Sequence, residues 1–172
     1  QIVHVMFGQD LIEVTTFRGN STDEAQKDAH GRVLRDNTFG EQHEDAARRD
    51  FTINAMYYDP AEQLVLDYHG GMKDIRNNTM RIIGVAEARY REDPVRLLRV
   101  VRFAAKLEFK IAPDTRQPMA VMAPLINNVP VARVFDEMLK LLMSGHAMAC
   151  LQRLRKEGLH HGLLPLLDVV LE

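Results

Sequence analysis

One stretch of the sequence, residues 93–109, sets the strongest limit on what this chain can fold into. It reads DPVRLLRVVRFAAKLEF, and its apolar residues recur at helical spacing over about half of the helix circumference. These apolar positions are Leu97, Leu98, Val100, Val101, Ala104, Ala105 and Leu107. Asp93 followed by Pro94 predicts the helix start, as an N-cap residue and a first-turn proline. A helix with this pattern needs a core along one side, so the chain must build a packed helical layer.

The other side of the same predicted helix is basic. Arg96, Arg99 and Arg102 fall within an arc of about 120°. The stretch 89–110 has seven Lys or Arg and three acids, whereas 20–50 has eight acids and five basic residues. The net charge of the chain is −2, which excludes a basic coat over the whole surface and permits a local phosphate site.

The patterns divide the chain into two parts of different character. Residues 1–84 contain short β-branched runs, with a hairpin expected at 2–17, a helix at 44–59, a strand at 61–68 and a polar loop at 18–32. Residues 85–172 are helical throughout, with further helices expected at 112–128, 130–145 and 146–161. The expected fold class is therefore α+β, with a domain boundary near residue 84.

Composition removes several functional classes. No apolar stretch approaches the roughly 18 residues of a membrane helix, so no membrane association is expected. The single cysteine, Cys150, excludes an internal disulfide and fits a cytoplasmic, reducing setting; we expect an inert buried thiol. The histidines lack zinc-ligand spacing. The sequence indicates no particular oligomeric state.

Four segments carry residues suited to chemistry. Glu13 lies in a predicted strand, where a carboxylate can hold Mg²⁺ or face solvent. Asp50 and Asn54 are four residues apart, so on a helix they would share a face and could bind ribose hydroxyls, while Arg49 binds phosphate. The alternative for this segment is an amphipathic helix with internal ion pairs. Two adjacent glycines in 67–74 indicate a tight turn, or a backbone that approaches a phosphate.

The fourth segment is the basic helix itself. A carboxylate at its start can accept a hydrogen bond from an exocyclic amine, and an arginine can donate to a ring nitrogen or carbonyl. The residues in this arrangement are Asp93 and Arg96, with Arg99 and Arg102 available for a triphosphate. The alternatives are that Asp93 only caps the helix and that the arginines form a solvated face.

Taken in order, five strings of this sequence resemble the class II nucleotidyltransferase family. That family includes CCA-adding enzymes and bacterial poly(A) polymerases. The strings are IEVTTFR, EDAARRDFTINAM, DYHGGMKD, REDPVRLLRVVRFAAKL and ARVFDEMLKLL. The resemblance implies the end of a polymerase-β-like palm, or head, followed by an all-helical neck. The strings around RRD and EDxxR look most like those of the bacterial poly(A) polymerases.

The resemblance also implies roles for particular residues. Glu13 resembles an active-site carboxylate, and Asp50 and Asn54 resemble polar residues of the ribose side and active site. Together with Glu13, Asp50 is the residue expected to act in catalysis by supporting the metal centre. Asp93 and Arg96 match the pair that reads the base edge of the incoming nucleotide in place of a template. Further nucleotide-contacting positions are matched by Arg49, Arg99 and Arg102. The expected substrates are ATP and an RNA 3′ end, with Mg²⁺ as cofactor.

The sequence also departs from the family pattern. The glycine-rich phosphate loop and the D-x-D strand of the head do not occur in it, so we expect a fragment that does not polymerise alone. Glu108 stands where a glycine is expected at a helix end. Two other functions stay open: CCA addition to tRNA, and a non-catalytic module that binds nucleotide or RNA.

Overall fold

The structure, a computed structural model, describes residues 2–19, 39–161 and 163. It forms two compact units, Gln1–Arg49 and Asp50–Glu172, and each is treated by itself. This division does not test the domain boundary expected near residue 84, which stays a prediction. Most of the polar loop expected at 18–32 lies outside the described residues.

The first unit contains the expected hairpin. Strands β1 (Ile2–Phe7) and β2 (Asp10–Thr15) pair antiparallel, with Ile2 opposite Thr15 and Phe7 opposite Asp10. Gly8 in the turn has φ of +65°, a conformation that costs glycine nothing. Both faces of the hairpin are exposed and carry large apolar side chains.

The helix expected at 44–59 is interrupted, which corrects that prediction. Helix α1 (Gln42–Arg48) ends when Arg49 adopts an extended conformation, with ψ of 165°. A 3-10 turn (Thr52–Asn54) follows, and strand β3 (Met56–Asp59) comes directly after it. The interruption coincides with a backbone bridge between Phe51 and Ile82, because a helical residue could not form that pairing.

The second unit continues with a hairpin and then alternates short strands with helices. Strand β4 (Leu64–Asp67) pairs antiparallel with β3, and β5 (Thr79–Met80) pairs parallel with β6 (Lys110–Ile111). The helices are α2 (Gly71–Arg76), α3 (Ala86–Glu92), α4 (Val95–Lys106), α5 (Pro113–Arg116), α6 (Met119–Met122), α7 (Val131–Leu142) and α8 (Ala147–Lys156). Strand β6 lies in the half that was expected to be entirely helical.

The predicted helix at 112–128 is present only as short pieces. Helices α5 and α6 are followed by a 3-10 helix (Ala123–Asn128), and prolines stand at the starts of all three pieces. A proline lacks the N–H that a continuous helix needs at interior positions, so these residues break the run. The helices expected at 130–145 and 146–161 are confirmed as α7 and α8.

The core of the second unit surrounds α4. Helices α3, α7 and α8 and strands β5 and β6 all pack against it. Six of the seven apolar residues predicted to face the core are buried: Leu97, Leu98, Val100, Val101, Ala104 and Ala105. Leu107 is 40% exposed, because it lies past the last helical residue and no longer follows the helical stripe.

Two further expectations concern the burial of Cys150 and the apolar character of the helices. Cys150 is completely buried, and burial raises the pKa of its thiol, which confirms the expected inert cysteine. Among the helices that the structure describes, none has the length and apolar character needed to cross a bilayer.

The end of α4 explains why a glycine was expected at position 108. Glu108 has φ of +56°, and its N–H donates to the Ala105 carbonyl at 3.3 Å. The N–H of Phe109 donates to the Ala104 carbonyl at 2.9 Å, which completes a Schellman motif. Glutamate thus occupies the left-handed position that this motif usually gives to glycine.

Replacing Glu108 by glycine should stabilise the second unit. The left-handed conformation strains a side chain with a Cβ, and the exposed Glu108 side chain makes no buried contact that would be lost. Glycine has more conformational freedom in the unfolded chain, which offsets part of this gain. We therefore expect a net increase of about 0.5–1 kcal/mol in the free energy of unfolding. Urea unfolding of Glu108→Gly beside Glu108→Ala measures this; a gain shared by both variants would contradict the explanation.

Candidate nucleotide-binding site

The turn that carries Asp50 is fixed by backbone and side-chain bonds. The Ile83 N–H donates to the Asp50 carbonyl at 2.9 Å, and the Thr52 N–H donates to the Arg81 carbonyl at 3.1 Å. The Thr52 hydroxyl donates to the buried Asp74 carboxylate at 2.8 Å, and Arg81 Nε reaches the same oxygen at 3.1 Å. These bonds give Asp50 a defined direction although it lies outside any helix.

The Asp50 carboxylate joins two residues that the sequence singled out. Its Oδ1 accepts from Asn54 Nδ2 at 2.7 Å, and its Oδ2 accepts from Arg99 Nε at 2.6 Å. The predicted proximity of Asp50 and Asn54 therefore holds, but a 3-10 turn and not a shared helix face brings them together. The Asp50 side chain is 11% exposed and that of Arg99 is 30% exposed, so this pair borders solvent.

The junction between α3 and α4 holds Asp93. The N-cap of α4 is Pro94 and not Asp93, which corrects the predicted helix start by one residue. Asp93 nevertheless binds the first turn, since its Oδ1 accepts from the Val95 N–H at 3.3 Å. Its Oδ2 accepts from Arg133 Nη2 of α7 at 2.9 Å. Asp93 therefore binds the first turn of α4 and also binds a residue that lies 40 positions further along the chain.

Arg96 lies one turn further along and is held by α3. Its Nη1 donates to the Arg89 carbonyl and to Glu92 Oε2, both at 2.8 Å. Glu92 also accepts from Arg89 Nη1 at 2.9 Å, so one carboxylate links two guanidinium groups. Burial and the neighbouring Arg96 charge lower the pKa of Arg89, and Glu92 and Asp50 partly offset this.

Arg102 belongs to a buried pair between α4 and α7. Its Nε donates to Glu137 Oε1 at 2.6 Å, and the two residues are 9% and 3% exposed. The guanidinium carbon of Arg102 lies 4.2 Å from the Phe103 ring centre, and that of Arg99 lies 5.4 Å from it. The solvated face that was one alternative for the arginines is therefore not present at Arg102.

The remaining two predicted residues belong to the first unit. Glu13 lies opposite His4 in the hairpin, with 3.5 Å between Glu13 Oε1 and His4 Nε2, and both side chains are exposed. Arg49 Nη2 donates to the buried Asp45 carboxylate at 3.0 Å. No observation tests the catalytic role predicted for Glu13 or the nucleotide-binding role predicted for Arg49, so both stay predictions.

Sequence reasoning missed several partners in this site. Arg89 and Glu92 are three residues apart, and Glu92 and Arg96 are four apart, so helical ion-pair spacing could have indicated them. The break at Pro94 hid the second of these pairs, because Glu92 and Arg96 lie on different helices. Arg133 and Glu137 come from α7 and could be paired with their partners only once the tertiary fold was known.

The described residues do not form a metal centre of their own. Within 2–19, 39–161 and 163, no three His, Cys, Asp or Glu side chains lie close enough together to hold a metal ion. A two-metal site needs several carboxylates around the ions.

Comparison with known proteins decides the family. A family model described as "Poly A polymerase head domain" matches residues 1–81, and one described as "Probable RNA and SrmB- binding site of polymerase A" matches residues 108–171. The chain belongs to the poly(A) polymerase and CCA-adding nucleotidyltransferase family. The resemblance drawn from the five sequence strings and the α+β fold class are both confirmed.

Relatives within the family come from both enzyme types. The chain is 49% identical over 171 residues to "Poly(A) polymerase I" of Salmonella typhi, covering 96% of this chain and 37% of that protein. It is 41% identical over 142 residues to the "CCA-adding enzyme" of Streptococcus suis, covering 83% of this chain and 34% of that one. The chain thus spans little more than a third of the length of these relatives.

A solved structure of the family has the same fold. The Bacillus stearothermophilus CCA-adding enzyme in complex with CTP matches with a TM-score of 0.78 and 37% sequence identity. The match covers 95% of this chain and 38% of that chain.

The double glycine of this family member serves packing. The backbone of Gly71 approaches the Thr52 carbonyl so closely that a Cβ there would overlap it. Gly70 has φ of +77° and begins α2. The expected turn is therefore present, and it presses α2 against the segment that carries Asp50.

Asp67 holds the start of the same helix. Its Oδ1 accepts from the Gly71 N–H at 2.8 Å, and its Oδ2 accepts from the Met72 N–H at 2.9 Å. Burial raises the pKa of Asp67, but the N–H donors of Met72, Gly71 and His69 outweigh it and leave the pKa below its ordinary value.

This lowered pKa predicts a pH-dependent contribution to stability. The ionised Asp67 stabilises the fold above its ordinary pKa of 3.8, and this stabilisation is lost as the pH falls through the lowered folded value. We expect Asp67→Asn to lower the free energy of unfolding at pH 7 and to have a shrinking effect towards pH 3. Urea unfolding at both pH values measures this, with the exposed Asp136→Asn as control. A loss that is equal at both pH values would contradict it.

The Arg102–Glu137 pair should behave as a structural unit. Glu137→Leu leaves a buried guanidinium without its carboxylate, and we expect a loss of roughly 3–5 kcal/mol in unfolding free energy. Arg102→Met combined with Glu137→Leu removes both charges and should recover most of that loss. The exposed pair Arg91 and Glu87 provides the matched cycle, with a coupling of about 0.5 kcal/mol or less. Additive losses at Arg102 and Glu137 would contradict a buried coupled pair.

Proposed function

We propose that the intact protein adds AMP from ATP to RNA 3′ ends without a nucleic-acid template. The observation that carries the template-free base reading in this proposal is the position of Asp93 and Arg96, three residues apart at the α3–α4 junction and each held by a partner. The 49% identity to a poly(A) polymerase, against 41% to a CCA-adding enzyme over a shorter stretch, supports adenylate addition.

The proposed base reading follows from hydrogen-bond chemistry. Adenine presents an amine donor beside a ring-nitrogen acceptor, and the Asp93 carboxylate and the Arg96 guanidinium complement these two groups. Guanine and uracil present a carbonyl beside a ring N–H. The Asp93 carboxylate would then face another acceptor, and the Arg96 guanidinium would face another donor. Cytosine shares the adenine pattern, so the pair alone rejects G and U and does not distinguish A from C.

Other predicted residues take supporting roles in this proposal. Arg99 borders solvent, and its Nε donates to Asp50. Its remaining N–H groups can donate further hydrogen bonds to a triphosphate. Asp50 and Asn54 would receive the ribose. Arg49 is proposed for phosphate, whereas burial of Arg102 on Glu137 favours a supporting role beneath the nucleotide. Glu13 is proposed as a carboxylate of the catalytic centre.

A divalent metal belongs to this chemistry in the family, and we propose Mg²⁺ as the ion that accompanies ATP. It would neutralise phosphate charge when bound. Because the sequence contains no D-x-D pair of the kind that the family resemblance implies for the head, we propose that these 172 residues alone do not polymerise. We also propose that the protein acts in the cytoplasm, where ATP and RNA 3′ ends are both present.

CCA addition is the second candidate function. It is favoured by the TM-score of 0.78 to a CCA-adding enzyme in complex with CTP. Both functions use the base pattern that adenine and cytosine share, so relative affinity for ATP and CTP separates them. A non-catalytic binding module differs from both, since the intact protein would then bind nucleotide without extending RNA.

Nucleotide binding tests the proposal directly. We expect titration calorimetry of this chain in Mg²⁺ to give tighter binding of ATP than of CTP, and no binding of GTP. Asp93→Ala and Arg96→Ala should each weaken ATP binding about tenfold or more, because each removes a hydrogen bond from the base edge.

Arg91→Ala is the matched control, because Arg91 lies on the exposed side of α3 and pairs only with Glu87 among the described contacts. Equal affinities for ATP and CTP would favour CCA addition. ATP binding that survives both Asp93→Ala and Arg96→Ala would defeat the proposed base reading.

A further inference from the structure

One side of α7 carries a row of large apolar side chains that are exposed in the described part of the chain. Val131, Phe135 and Leu139 follow one another at four-residue spacing, which places them along one side of the helix, and all three are exposed. Contiguous apolar surface of this kind on a folded protein marks a place that binds another apolar element. The row therefore calls for an occupant.

The row lines a groove of about 310 Å³. We call it the α7 groove and define it by Ile126, Val129, Val134, Phe135, Leu139 and Leu163. Among the described residues that line it, Asn127 supplies the one polar side chain, and none carries a charge. Nucleic acid needs cations for its phosphates, so this groove does not suit it. Its chemistry suits an apolar segment of protein.

The chain itself supplies an apolar segment at this groove. Leu163 is half-buried, packs against the core of the second unit and lies in the lining of the groove. The sequence continues as LPLLDVVLE over residues 164–172, which lie outside the described residues. The apolar members of this segment are Leu164, Leu166, Leu167, Val169, Val170 and Leu171. An apolar segment therefore starts at the wall of the α7 groove.

The sequence pattern of the segment predicts an amphipathic helix. At 100° per residue, its apolar stripe spans an arc of about 140°. The members of the stripe are Leu163, Leu166, Leu167, Val170 and Leu171. Asp168 and Glu172 fall on the other side, and Pro165 suits the first turn. A helix this short is not stable alone in water, so it needs a surface on which to pack.

We propose that residues 164–172 occupy the α7 groove as a short helix, with the apolar stripe packed against Phe135 and Leu139. A segment tethered at Leu163 meets the groove at an effective concentration of about 1 mM, which favours it over a separate partner. As a helix, residues 165–172 are about 12 Å long, and the 12 residues of α7 extend about 18 Å, so the segment can cover most of the groove. This inference does not depend on the proposed function.

The occupied groove has a consequence for α7. This helix supplies Arg133 to the Asp93 carboxylate and Glu137 to the Arg102 guanidinium. Packing of residues 164–172 on its exposed row adds apolar contacts to the helix that makes both bonds. The segment thus acts as a clamp on the position of α7.

Tryptophan fluorescence tests the occupant, because the 172-residue chain contains no tryptophan and one introduced residue reports alone. The reporter variant is Val170→Trp, on the apolar stripe. We expect acrylamide to quench it about threefold less efficiently than in a chain that also carries Phe135→Asp and Leu139→Asp, because the groove shields the indole from water. Val85→Asp combined with Val121→Asp, two exposed apolar residues outside the groove, is the matched control and should leave the reporter protected.

A second reporter keeps the test independent of the groove variants. Asp168→Trp places the indole on the polar side of the same segment, and we expect it to be quenched as freely as tryptophan in water. A Val170→Trp reporter that is equally exposed overturns the proposal and leaves the groove to a separate partner. Equal protection of both reporters overturns the predicted orientation of the stripe, and with it the proposal.

A second copy of the chain is the remaining occupant to separate. Light scattering of the Val170→Trp chain over a range of concentrations, with quenching measured on the same samples, distinguishes the two. Protection that persists in the monomer at every concentration supports the chain's own segment. Protection that appears only as dimers form assigns the groove to a second copy and overturns the proposal. Neither readout uses a nucleotide, so the result stands whatever the outcome of ATP binding.

Discussion

The buried stripe of α4 is the constraint on which the second unit depends. Leu97, Leu98 and Val101 have no exposed surface, and each contributes about 2 kcal/mol by leaving water. Burial on this scale fixes the rotation of the helix about its axis. The arginines on the other side are three residues apart, so each points about 60° away from the one before it.

That rotation sends each arginine to a different element. Arg96 reaches back to Glu92 and the Arg89 carbonyl of α3, Arg99 meets Asp50 on the turn after α1, and Arg102 enters the interface with α7. Their surroundings differ. The Arg102–Glu137 pair is nearly dry, whereas Arg99 borders water, which suits the donation to a triphosphate that we propose for it.

Local patterns were sufficient for the elements and insufficient for the contacts between them. The hairpin at 2–15 and helices α4, α7 and α8 follow from periodicity and turn residues, and they were predicted from these alone. The break after Arg48 was not, because the pairing of Phe51 with Ile82 joins residues 31 apart. Asp93 was assigned to the helix cap, and its bond to Arg133 across 40 residues has no local signal. The candidate roles of Asp93 and Arg96 came from family resemblance, since spacing alone left a solvated face open.

The position of α8 bears on how firmly the proposed base-reading residues are held. Cys150 and Leu154 of α8 are buried in the same hydrophobic cluster as Leu97 and Leu98 of α4. Helix α8 and the helix that carries Arg96 are therefore anchored in one core. In the proposed reaction no template supplies base identity, so it must come from protein side chains. The side chains of Asp93 and Arg96 at the α3–α4 junction suit this task because each is held by a partner on another helix, and the common core keeps α4 in place beneath them.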